Sequence, residues 1–97
     1  MEFIQIIELR TSKVDELRAM QREWEQKTEG KRTLRRSIIS RDRNDPNRYL
    51  VFAFFDSYES AMANSNLPET AEFGLSQTAL LDGPPVFTDL DVIEERS

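Results

Sequence analysis

The chain has 97 residues, 38% of them hydrophobic and 32% charged, with a formal net charge of −5. That length fits one domain spanning residues 1–97, with too little chain for a second core. Histidine and cysteine are both absent, which excludes imidazole bases, haem ligation by histidine, thiol nucleophiles, disulfides and the usual zinc sites.

Residues Glu2 to Arg10 are apolar on both alternating faces, with Phe3, Ile7 and Leu9 on one and Ile4 and Ile6 on the other. This predicts a strand covered on both sides. Ser12 followed by Asp15 has the form of a capping box, and a helix is expected after it. Val14, Leu17, Met20 and Trp24 recur every three or four residues among charged neighbours, so that helix is amphipathic, with Gly30 as its stop. Thr33 to Arg41 and Arg48 to Asp56 read as a second and a third strand. Asn44-Asp45-Pro46-Asn47 supplies turn chemistry between them. Asp56 or Ser57 then caps a second helix, which Pro68 interrupts and restarts as far as about Asp82. After Gly83-Pro84-Pro85, Val86 to Glu94 reads as the last strand.

The order βαββαβ is the ferredoxin-like α+β arrangement: an antiparallel four-stranded sheet in spatial order 4-1-3-2 with the helices on one face. The other face would be bare, although strands one and three are apolar on both sides. A homodimer packed sheet against sheet is the expected remedy. Charge is divided along the chain. Residues 31–48 carry seven basic side chains against two acids, net +5, and residues 49–97 carry one against nine, net −8. Arg35 and Arg36 on strand two and Asp89 and Asp91 on strand four are therefore candidate dimer contacts, setting orientation more than affinity.

Other classes are excluded by motif. The glycines Gly30, Gly74 and Gly83 are too scattered for a phosphate loop, and no G-x-S-x-G nucleophile turn occurs. No carboxylate cluster has metal-site spacing, so no metal or cofactor is expected. No run approaches the roughly 20 apolar residues of a membrane span. The first residues lack the features of a signal peptide, making a cytoplasmic location the expectation. The acidic balance speaks against nucleic acid as a partner.

Three stretches carry a resemblance. They are Ser40-Arg41-Asp42-Arg43-Asn44-Asp45-Pro46-Asn47-Arg48-Tyr49-Leu50-Val51, Phe55-Asp56-Ser57-Tyr58-Glu59-Ser60-Ala61 and Leu67-Pro68-Glu69-Thr70-Ala71-Glu72-Phe73. In order and spacing they resemble the antibiotic biosynthesis monooxygenase family of the dimeric α+β barrel superfamily. The resemblance implies a dimeric barrel and one of three activities: cofactor-independent oxygenation of polycyclic phenols or quinols, quinol oxidation, or haem degradation. Family histidines fall on Asn64 and Glu69, the strand-ending tryptophan on Phe55, an acidic pair on Ala53 and Phe54, and a catalytic asparagine on Ile7. These replacements speak against haem degradation.

The family pocket lies between sheet and helices. Its expected donors here are Asn64, Gln5, Tyr49 and Tyr58, and its expected walls are Trp24, Phe52, Phe54 and Phe73. Each residue also has a plainer reading. Trp24 and the strand-three aromatics serve as core, Asn64 bonds backbone freed near Pro68, the tyrosines sit at a surface or interface, and the arginines pair with the chain's own carboxylates. Two functions stay open. One is a cofactor-independent monooxygenase-like protein acting on a small aromatic or polyketide-type substrate. The other is a non-catalytic small-ligand-binding or interaction module that keeps the dimeric barrel.

Overall fold

Alternating apolar side chains and turn residues divide the chain into seven elements. These are β1 (Phe3–Arg10), α1 (Val14–Lys27), β2 (Arg36–Asp42), β3 (Asp45–Phe55), α2 (Tyr58–Ser65), α3 (Pro68–Thr78) and β4 (Val86–Asp91). The structure, a computed structural model, describes residues 1–97. Its sheet is antiparallel in the order β2-β3-β1-β4, the expected ferredoxin-like topology.

Strand parity assigns the two faces. Phe3, Gln5, Ile7 and Leu9 of β1 lie opposite Phe55, Ala53, Val51 and Tyr49 of β3, and the helices cover this side. Here Leu17 of α1 packs on Leu9 and Tyr49, and Ala61 of α2 packs on Phe3, Ala53 and Phe55. Full burial of a leucine such as Leu17 is worth about 1.5–3 kcal/mol. The other parity carries Ile4 between Phe54 and Leu90, and Ile6 between Phe52 and Thr88, with Ile38 beside Phe52. No helix covers that face, and Ile38 and Leu90 are 37% and 41% exposed.

Several local details depart from the sequence expectation. The helix α1 begins after Lys13 with no side-chain cap, so Ser12 does not close a capping box. The buried neighbour Thr11 acts instead: its Oγ1 accepts the Lys13 N–H and donates to the Leu80 carbonyl. Thr28 ends the helix by donating its hydroxyl to the Trp24 carbonyl, and Gly30 takes φ +80° in the turn beyond. The hairpin turns at Arg43-Asn44, so Asp45, Pro46 and Asn47 belong to β3. Asp42 and Asp45 hold this tip by accepting the N–H groups of Asn44 and Asn47. Ser57 caps α2 by accepting the Ser60 N–H, and Pro68 opens α3, which ends at Thr78. The last strand stops at Asp91.

Candidate functional site

A cavity of about 290 Å³ lies between the helices and the covered face of the sheet. Its floor is Gln5, Ile7, Val51 and Ala53, and its roof is Leu17, Gln21, Trp24, Asn64, Thr70 and Phe73. The small side chain of Ala53 and the missing side chain of Gly74 leave room where larger residues would meet. Phe87, 57% exposed, and Ile39, 41% exposed, also line the space, so it opens toward the two sheet edges that carry them.

Polar groups in this lining are few and oriented. The amide of Asn64, buried on the last turn of α2, accepts the Thr33 N–H through Oδ1 at 3.1 Å. That bond fixes which end of the amide is oxygen. No protein acceptor takes the Nδ2 hydrogens, and no fully buried polar side-chain atom of the chain is left unpaired. The amino group is therefore not sealed off, and Asn64 belongs to the lining of the cavity. Trp24 spends its Nε1–H on Thr70 Oγ1 at 3.0 Å, so its ring rather than its N–H meets the interior. Phe73 sits tilted beside it, ring centroids 6.1 Å apart. Gln5 donates to Asp89 at 3.0 Å and Gln21 to Ser37 at 3.2 Å, which leaves both side-chain carbonyls as acceptors. Arg18 is the one charged side chain in the lining; no carboxylate is part of it.

The perturbed ionisable groups lie elsewhere. At the hairpin tip the Asn44 N–H and then Arg48 hold Asp42 below the usual carboxylate range, and Arg10 does the same for Asp45. On the outer side of Trp24, Lys31 beside Glu69 lowers that carboxyl. No group of three or more histidine, cysteine, aspartate or glutamate side chains is arranged to hold a metal ion.

No family model matches the chain, and no curated protein matches it. Solved structures do. A Caulobacter crescentus protein assigned as an antibiotic biosynthesis monooxygenase superposes with a TM-score of 0.81 at 16% identity, covering 96% of this chain and 91% of its own. SnoaB of Streptomyces nogalater, a cofactor-independent oxygenase, superposes at 0.80 with 12% identity, covering 97% and 95%. The fold is that of the antibiotic biosynthesis monooxygenases. A Chloroflexus aurantiacus protein of the same assignment agrees at 0.70 and 19% identity over 100% of this chain and 98% of its own. The resemblance read from the motifs thus holds at the level of the fold.

Within the antibiotic biosynthesis monooxygenase fold, the structure brings Trp24, Asn64, Gln5 and Phe73 together around the cavity. It does not bring the other four expected residues there. Phe52 and Phe54 point to the uncovered face, because parity sets them opposite Val51, Ala53 and Phe55. Tyr49 has the right parity but is sealed against Leu9 and Leu17, where its hydroxyl accepts from Arg41 Nε. Tyr58 lies outside, 49% exposed and edge-on to Phe3. Of the residues named for the dimer, Arg35 finds Asp56 of its own chain at 2.8 Å. Arg36 stacks on Phe54 at 5.0 Å on the uncovered face, and Asp89 and Asp91 flank Phe3 on the covered side. The sequence reading missed Arg18, Gln21, Ser37 and Thr70. Gln21, four residues after Leu17 and three before Trp24, was the accessible signal, since that spacing puts it on the same helix stripe.

Proposed function

We propose that this chain is an antibiotic biosynthesis monooxygenase-like protein. It binds a small polycyclic aromatic or polyketide-type compound in the cavity and works as a homodimer joined through the uncovered sheet face. The observation that supports the ligand most strongly is the Asn64 amino group, oriented by Thr33 and free of protein acceptors, set in an otherwise largely apolar space. Such a site suits an oxyanion with a flat apolar body.

The chemistry compatible with this lining leaves the work to the substrate. An anthrone that loses a proton becomes an electron-rich enolate, whose oxygen the Asn64 N–H groups stabilise. The enolate passes an electron to O₂, and the carbon radical and superoxide combine into a peroxide. Loss of water then gives the quinone, so that anthrone plus O₂ yields quinone plus water. No imidazole or carboxylate lines the cavity to take the first proton, which then passes to solvent. That absence also favours the second reading, a module that binds the same ligands without turning them over.

Oxygen uptake with 1,8-dihydroxyanthrone, recorded together with quenching of Trp24, separates the two. Uptake above the spontaneous rate, suppressed in Asn64→Asp, supports the oxygenase, because aspartate keeps the acceptor for Thr33 and replaces the donor pair. Quenching without uptake supports the binding module. Absence of both removes the ligand reading.

A further inference from the structure

We infer that Arg18 is an anchoring residue for an acidic substituent, so that the cavity prefers polycyclic aromatic carboxylates over their neutral counterparts. The inference rests on the reading of the cavity as a site for an aromatic ligand and narrows its substrate class. Arg18 supplies the only charge in the lining, in a chain that carries 18 acids and 13 basic residues. Its one carboxylate neighbour is Asp15, at 3.7 Å and itself 92% exposed, while the Arg18 side chain is 57% exposed. That contact is longer than the 2.6–2.9 Å pairs of Arg10, Arg35 and Arg48. The guanidinium therefore keeps its fork of donors available for a planar oxyanion, and a carboxylate matches that fork in two parallel hydrogen bonds.

Position supports the same assignment. Arg18 and Trp24 are six residues apart on α1, about 9 Å along the axis and about 120° around it, so Arg18 lies at the flank of the stripe that carries Trp24 while both line the cavity. A flat ligand with its rings beside Trp24 and Phe73 and its phenolic oxygen toward Asn64 would bring a terminal carboxylate to Arg18. No carboxylate lines the space to repel it.

The test uses Trp24, the chain's single tryptophan, as the reporter. Quenching is titrated with anthraquinone-2-carboxylate and with 2-(hydroxymethyl)anthraquinone, which differ in charge and little in shape. At low salt the carboxylate is expected to bind about two- to fivefold more tightly, the range open to a partly exposed ion pair. The preference shrinks in 1 M NaCl, disappears in Arg18→Gln and survives in part in Arg18→Lys. Equal affinities in the wild-type protein, or an undiminished preference in Arg18→Gln, overturn the assignment of Arg18 while leaving the aromatic site standing. Saturable quenching by neither compound overturns the aromatic site, and the anchor with it.

Discussion

The two faces of the sheet are built from alternate residues of the same strands, yet they meet different surroundings. Phe55, Ala53, Val51 and Tyr49 of β3 face the helices, where Ala53 leaves a gap and the cavity forms. Phe54, Phe52 and Leu50 face outward with Ile4, Ile6, Ile38 and Leu90 and have no cover within the chain. Only 11 of the 97 residues are buried, because one side encloses a space and the other is open. The lesson concerns division of labour: one parity borders a cavity, and the other supplies the apolar contact expected of a second copy.

The largest effect on this contrast is expected from Phe52→Glu, at the centre of the uncovered face. A carboxylate there would have to be desolvated in the dimer, at a cost of about 3 kcal/mol or more. Thermal unfolding that depends on concentration in the wild-type protein would lose that dependence, while Trp24 would still report ligand. If Phe52→Glu abolished ligand quenching in a folded monomer, the separation of the two faces would be wrong.

Asn64→Ala acts on the covered side. It leaves the Thr33 N–H without its acceptor and is expected to lower stability by about 1–2 kcal/mol in urea unfolding. Asn64→Asp retains that acceptor, so its loss of ligand binding should exceed any loss attributable to the Thr33 contact.

Acid sharpens the contrast in another way, because the carboxylates with lowered pKa lie outside the cavity. Asp42, Asp45 and Glu69 are stabilised in their charged forms by Asn44 and Arg48, by Arg10, and by Lys31 respectively. A carboxyl whose folded value is depressed contributes fully above its unfolded value, about 4, and loses that contribution as pH falls through the folded value. Melting temperature should therefore decline below about pH 4 and stay nearly level between about pH 5 and 9, where no histidine titrates. A stability step near pH 6.5 would contradict this.

The smallest effect is expected from Arg35→Glu. Arg35 already pairs with Asp56 in its own chain, and exposed pairs contribute about 0–1 kcal/mol. The mass in solution should not change. A dissociated variant would place Arg35 in the dimer contact, as the charge division along the sequence suggested.

The element order, the strand order and the break at Pro68 were legible in the sequence, because period-two and period-3.6 patterns and a proline state them locally. Trp24, Asn64, Gln5 and Phe73 were legible as neighbours of one space. Phe52 and Phe54 were misplaced for a physical reason: when both parities of a strand are apolar, alternation separates the faces without saying which one the helices cover. Ala53, the small residue that makes room on the covered face, was the distinguishing sign. The cap at Ser12 failed because Thr11, drawn under the loop before β4 by its bond to Leu80, lies far away in sequence from the group that holds it. Arg18 was missed because an exposed helical arginine carries no sign of what lies beneath it.

The most direct test of the two-face account is the mass of the wild-type protein by sedimentation equilibrium at micromolar concentration. The account predicts twice the mass of the chain, unchanged when a cavity ligand is added. A stable monomer, with the apolar face of Ile6, Phe52 and Leu90 left in water, would contradict it.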